Sequence, residues 1–291
     1  MLLAIDIGNT EVTLGLFEGR RLARSYRVSS ETRRTADEAL LLLRQIAPEL
    51  AGTNGAAEGM AKGDRGAAEG AAKGAAKGQR SRRAQGAEHG CVLASVVPPQ
   101  TAIFAEAARR LLGRSPLEIT AASAPWLKIE YRDPGAVGAD RIANAVAVIE
   151  RHGTPAVVVD FGTATTFDVI SKDGRYLGGV IAPGILTGAE NLVRRAARLG
   201  AFEIKEPERV VGKSTEESLQ AGLLYGAVGQ VDTIVRRIAA ETRTRPLVIA
   251  TGGLAKAIAP HSKTIQKVDA HLTLHGLRLI RERSLTKPGR G

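Results

Sequence analysis

Aromatic residues are scarce in this 291-residue chain, at 3%, so its cores must be built mostly from Ala, Val, Leu and Ile. That scarcity excludes an RNA-binding platform of stacked rings. Cysteine is nearly missing. The lone Cys91 excludes an internal disulfide framework and a multi-cysteine metal site. It precedes the apolar run Val92 to Val97 and reads as a buried strand thiol rather than a nucleophile. No uncharged apolar stretch approaches the roughly 20 residues that span a bilayer, so no membrane partner is expected. Met1 to Asp6 has no basic segment and meets an acid too early for a signal peptide, which gives a cytoplasmic expectation.

The formal charge of +11 invites a polyanion reading. Yet the basic residues are scattered, and neither a helix-turn-helix nor a zinc-ligand pattern accompanies them. No nucleic-acid partner is expected. A hydrophobic content of 44% with 24% charge is ordinary for a globular chain, and the length suffices for two domains.

One short phrase is written twice: Asp6-Ile7-Gly8-Asn9-Thr10, and Asp160-Phe161-Gly162-Thr163-Ala164-Thr165-Thr166. Each follows an apolar run and precedes a second strand-like run. A strand tip with a carboxylate, a Gly and small donors suits phosphate. Gly permits close backbone approach, N–H groups and Thr hydroxyls donate, and the Asp can hold a cation. A third piece, Leu247 to Ala255, is a buried strand, then Gly252-Gly253, then a helix, a corner against which a flat base or ribose can lie.

Around these tips, strands are predicted over 1–17, at Leu22 to Val28, at Val92 to Val97, from Ile119, and at Leu247 to Ala250. A hairpin follows the second phrase. Helices are predicted from Thr35, over Thr101 to Leu112 and Asp140 to Arg151, and at about 185–199, 216–240 and 253–259. Alternation of strands and helices in both halves makes the class α/β. Between Gly52 and about Gly90 the texture changes to a Gly/Ala repeat with almost no large apolar residue. Such a segment cannot repay its ordering entropy and reads as a disordered surface insertion, with a basic tether as the alternative.

Competing nucleotide signatures fail. Val211-Gly212-Lys213-Ser214 ends like a phosphate loop, but the required upstream Gly is Pro207. No Gly-x-Gly-x-x-Gly follows an early strand. Gly138-Ala139-Asp140-Arg141 opens a helix, with Asn144 one turn on. Asp140 there is either a helix-start acid favoured by the macrodipole, or a base that takes a proton from a substrate hydroxyl beside an anion-binding Arg141.

Seven motifs in order carry a resemblance: Asp6 to Thr10, Ser95-Val96-Val97-Pro98, Gly138 to Arg141, Asp160 to Thr166, Gly178-Gly179 with Ala182-Pro183-Gly184, Gly212 to Glu216, and Thr251-Gly252-Gly253. Together they resemble type III pantothenate kinases, a family of the acetate/sugar kinase–Hsp70–actin superfamily, with the Gly/Ala insertion as a departure. The resemblance implies two ribonuclease-H-like (actin-like ATPase) domains with mixed sheets flanked by helices. These would be residues 1–120, carrying the insertion at about 52–90, and 121–291, with a nucleotide cleft between them.

It also implies ATP-dependent phosphorylation of pantothenate to 4'-phosphopantothenate, the first step of coenzyme A biosynthesis. Asp6, Ile7, Gly8, Asn9, Thr10, Glu11, Val12 and Thr13 would form the first phosphate loop, with Asp6 near Mg²⁺ by an indirect contact, and Thr163 on ATP. Asp140 would be the general base. Tyr131, Gly138, Ala139, Asp140, Arg141 and Thr215 would bind pantothenate. Asp160 would hold a monovalent cation, K⁺ or NH₄⁺, and the protein would be a homodimer with sites near the subunit interface. A nucleotide-dependent transcription accessory regulator, or a same-fold kinase for another small hydroxyl compound, are the alternatives.

Overall fold

The computed structural model describes residues 1–30, 34–51, 89–195 and 205–286, so the bulk of the Gly/Ala insertion lies outside the described residues. The chain opens with an antiparallel meander of β1 (Leu2–Ile7), β2 (Glu11–Glu18) and β3 (Arg21–Ser29). Helices α1 (Ala36–Ile46) and α2 (Pro48–Ala51) follow. Then β4 (Gly90–Ser95) pairs parallel with β1, α3 (Pro98–Leu112) crosses back, and the short β5 (Leu117–Glu118) joins β4.

After α4 (Ala139–Arg151) the same plan is laid down again. An antiparallel meander of β6 (Ala156–Phe161), β7 (Ala164–Ile170) and β8 (Tyr176–Pro183) leads into α5 (Ile185–Arg195) and the long α6 (Thr215–Thr242). The parallel strand β9 (Leu247–Gly252), α7 (Ala255–Ile258), β10 (Lys267–Val268) and α8 (Leu272–Thr286) complete the chain. The strand orders are β3-β2-β1-β4-β5 and β8-β7-β6-β9-β10, so the two sheets share one topology. This is the duplicated ribonuclease-H-like arrangement expected from the motifs.

Strand alternation explains the layering. Leu3, Ile5 and Ile7 point outward into a core with Leu40 and Leu43 of α1 and Phe104 and Leu111 of α3. Val157 and Val159 do the same on the second sheet, against Leu224, Val231 and Val235 of α6. The inner faces, Ala4 and Val92 on one sheet and Ala156 and Val158 on the other, share a single core with α4 and α8. Asp6 and Asp160 follow Ala4 and Val158 by two residues, which puts both carboxylates at the head of this shared layer.

Local signals set most boundaries. Thr35 caps α1 through a capping box with Glu38. The strand expected over Val92 to Val97 ends at Ser95, and the helix expected from Thr101 starts at Pro98. Ser95 Oγ accepts from the Val97 N–H at 3.0 Å and turns the chain out of the sheet. Two prolines then occupy the first helical turn, where their missing N–H groups cost nothing. The stretch expected from Ile119 is not a strand: β5 ends one residue before it, at Glu118, and Thr120 already begins a turn.

Helix α8 has no counterpart in the sequence reading. It buries Leu272, Leu274, Leu277 and Ile280 between the sheets and lies directly against α4. The contact is backbone-close: a Cβ on Gly276 would stand 2.0 Å from the Ala143 carbonyl oxygen. Gly276→Ala must therefore push α8 off α4, an overpacking cost of roughly 1–3 kcal/mol. The expected result in a thermal melt is a Tm lowered by about 3–10 °C. An unchanged Tm would show that the two helices are not packed this closely.

Candidate active site

Asp6 and Asp160 occupy the same place in their sheets, the fifth residue of a six-residue central strand. Each is followed by a tight loop. The Gly8 N–H donates to Glu11 O at 2.9 Å, and the Gly162 N–H donates to Ala164 O at 3.1 Å, so the second loop is one residue tighter. Ser30 holds the first loop by donating its hydroxyl to Gly8 O at 2.6 Å and its N–H to Thr10 O at 2.8 Å. The Gln100 side-chain amide in turn donates to Ser30 O. The two loops meet where the Thr10 and Thr163 hydroxyls hydrogen bond at 2.9 Å.

The residues of the first loop divide by role. Ile7 and Val12 are buried in the outer core, so only their backbone faces the cleft. Asn9, Thr10 and Glu11 are exposed, and Thr13 stands in register beside Asp6. At the second tip, Thr251 of β9 and Thr166 of β7 flank Asp160 in register. Gly252 has φ +87°, and a Cβ there would lie 2.5 Å from Asp160 Oδ1, so only glycine suits this corner.

Asp140 opens α4 with its carboxylate on its own helix N-terminus, where Oδ1 accepts from the Arg141 N–H at 2.9 Å. Three carboxylates thus share one electrostatic neighbourhood. Burial, then the charges of Asp140 and Asp160, hold Asp6 well above the usual carboxylate range. Asp140 is raised by burial, against the pull of its backbone hydrogen bond and Arg141. Burial and the Asp140 charge push Asp160 up to about 6. A side-chain chain steadies it from α8: Thr273 Oγ1 donates to Asn144 Oδ1 at 2.8 Å, and Asn144 Nδ2 donates to Asp160 Oδ2 at 3.1 Å. No three acidic or histidine side chains converge on one ion position among the described residues.

The other expected substrate residues separate into two groups. Gly138, Ala139 and Asp140 stand together at the start of α4. Tyr131 joins them indirectly: its ring lies against Gly178, where a Cβ would come within 3.5 Å, and it influences Tyr176. The Arg141 guanidinium turns inward. Its Nε donates to Asp168 Oδ1 at 2.7 Å, and it lies 5.9 Å from the Tyr176 ring centroid. Thr215 is the outlier. It begins α6, which covers the opposite face of the second sheet from α4.

Asp168 was missed by the sequence reading. It is fully buried, accepts from Arg141 and from the Tyr176 hydroxyl at 2.9 Å, and is pushed up by burial to about 7. Tyr176 is raised by burial and by the Asp168 charge. The signal was present: a carboxylate inside the apolar run Phe167 to Ile170 demands a buried partner.

A raised carboxylate pKa means that the folded state binds more protons than the unfolded chain, so stability falls as pH rises from about 4 toward the folded value near 6. Asp160→Asn removes this penalty while keeping the approach of Asn144. The ligand-free variant should melt a few degrees above wild type at pH 7.5, with the gap shrinking toward pH 5. A variant that melts below wild type at both pH values would refute the repulsion.

The model of the type III pantothenate kinase family matches residues 2–61 and 54–237. A type III pantothenate kinase of Moorella thermoacetica is 44% identical over 288 residues, 98% of this chain and 100% of its own length. That of Anaeromyxobacter dehalogenans is 45% identical over 284 residues, again 98% of this chain and 100% of the relative. Among solved structures, a conserved putative Baf family transcriptional activator from Campylobacter jejuni aligns over 98% of this chain and 100% of its own. Its TM-score is 0.53 at 17% identity, a likeness of fold. With its family model matched on both sides of the insertion and relatives aligned end to end, this chain belongs to the type III pantothenate kinase family.

Proposed function

We propose that the protein transfers the γ-phosphoryl group of ATP to the primary hydroxyl of pantothenate, giving 4'-phosphopantothenate at the entry to coenzyme A biosynthesis. The observation that carries this reading is the position of Asp140. It places a carboxylate with a raised pKa, on a helix N-terminus, beside two phosphate-type strand tips. A base with that tuning accepts a proton more readily than an ordinary aspartate.

In this reading the backbone of residues 6–13 and the Thr10 and Thr163 hydroxyls line the polyphosphate. Mg²⁺ brought with ATP would screen its charge, and Asp6 is the residue that would face it. Asp140 accepts the hydroxyl proton as the new O–P bond forms and the bond to ADP breaks. Positioning and charge neutralisation supply most of the acceleration, because the transition state is loose. Asp160 would hold the monovalent cation, and its flanking Thr166 and Thr251 would add the oxygen donors that a hard cation prefers.

Tyr131 and the start of α4, Gly138 to Arg141, clasp pantothenate. Thr215 reaches the substrate of a second copy in a homodimer. Its placement on the opposite face supports that, as do the exposed Leu186, Leu192, Val210 and Val211 around α5 and the start of α6.

Two experiments test the reading. Asp140→Asn should lower kcat by about 10²–10⁴ while ATP affinity stays near wild type. The acid limb of kcat/KM for pantothenate should lie above the ordinary value near 4 and vanish in the variant. A fully active variant would exclude Asp140 as the base. Separately, ADP release by wild type should require pantothenate and be faster in K⁺ than in Na⁺, and Asp160→Asn should abolish that preference. Equal rates in both salts would remove the cation from Asp160.

A further inference from the structure

Arg27 sits at the third place in a cross-strand row. Thr13 of β2 is in register with Asp6 of β1, and Arg27 of β3 is in register with Thr13. Residues so paired project to one face of a sheet. Here that face is the inner one, since Ala4 and Ala94 on it belong to the core shared between the sheets. The row therefore carries Arg27 toward the cleft. Its Nη1 reaches the second half of the molecule, where a Cβ built on Gly253 would stand 3.5 Å away. Its charge is felt at Asp160.

The guanidinium is otherwise little used. Its ion-pair partner among the described residues is Glu11, with Nη1 3.6 Å from Oε2, beyond hydrogen-bond distance, and both side chains are about half exposed. Arg141, the nearer candidate to bind an anion, is committed to the buried Asp168. Arg27 thus offers the cleft a guanidinium whose donors are not taken up by a buried carboxylate. The second sheet sharpens the point. At the register position equivalent to Arg27, beside Thr166, stands the exposed Ile181. The shared topology does not require a cation there.

We infer that Arg27 leaves Glu11 to bind the terminal phosphate of ATP and stabilises the phosphoryl group in transfer. It donates hydrogen bonds and moves no proton, the role in which a planar guanidinium exceeds an ammonium. The competing account is that Arg27 only guards the exposed edge strand β3 against pairing.

This inference rests on the kinase reading, so the test is built to fail separately. In the full chain, Arg27→Ala should weaken binding of a non-hydrolysable ATP analogue at least tenfold while ADP affinity stays within about threefold, a comparison that needs no pantothenate. In turnover, kcat should fall by about 10²–10³ with KM for pantothenate within about threefold and Tm near wild type. Arg27→Lys should recover only part of the loss, and millimolar guanidinium should partly restore the Ala variant. Equal weakening of ATP analogue and ADP, or a kcat within threefold of wild type, overturns the assignment. Absence of pantothenate-dependent ADP release by wild type would sink the kinase reading, and the ATP-against-ADP comparison would still decide Arg27.

Discussion

Everything in this structure is arranged around the enforced proximity of Asp6, Asp140 and Asp160. Each is raised above its ordinary pKa by burial, and Asp6 and Asp160 also by a neighbouring acid. Such a cluster opposes folding at neutral pH, and the fold offsets it nearby. Helix α4 presents its N-terminus to Asp140, where the positive end of the macrodipole favours a carboxylate. Asn144 donates to Asp160, and Thr273 from α8 fixes which way the Asn144 amide points. The apolar layer that α4 and α8 share with both sheets supplies the free energy that holds these groups together. The charge the site lacks is what Mg²⁺, a monovalent cation and a polyphosphate would bring or occupy.

Duplication gave the two halves one topology, and their cleft-facing rows then diverged. The first row reads Arg27, Thr13, Asp6, Ala94, and the second Ile181, Thr166, Asp160, Thr251. Asp6 has a methyl group on one side and a cation two strands away, a setting suited to anionic oxygens. Asp160 lies between two hydroxyls, a setting suited to a cation. One strand-tip phrase therefore stands in two chemical settings, and the difference comes from adjacent strands rather than from the phrase itself.

That difference also marks what a sequence can disclose. Asp6 to Thr10 and Asp160 to Thr166 were legible because strand, acid, glycine and hydroxyl are contiguous. The start of α4 was legible because glycine before a helical apolar pattern is local. Helix α8 was not, because His275 and the arginines at 278, 281 and 283 break up its apolar pattern, and Arg278 is itself buried. The role of Arg27 and the partners of Asp168 were hidden for another reason. Each takes its meaning from a partner that only strand register or a helix crossing supplies: Thr13 and Gly253 for Arg27, Arg141 and Tyr176 for Asp168.

Register also bears on where the first half of the chain takes up the Gly/Ala-rich sequence. The chain re-enters the described fold at His89, and Gly90 pairs with Leu2, at the end of β1 remote from Asp6. The N-terminal amine lies 3.3 Å from His89 Nδ1, so the return point and the start of the chain share one edge of the molecule. Ser95, at the other end of β4, is the residue in register with Ile7, beside the loop that follows β1. The strand thus separates the two ends by about 17 Å, at roughly 3.3 Å per residue. Lengthening a flexible connection changes its closure entropy by only about 0.6 kcal/mol per doubling. Extra residues there lengthen a connection that the strands β1 and β4 already close, and leave the acid-bearing tips where the two sheets hold them.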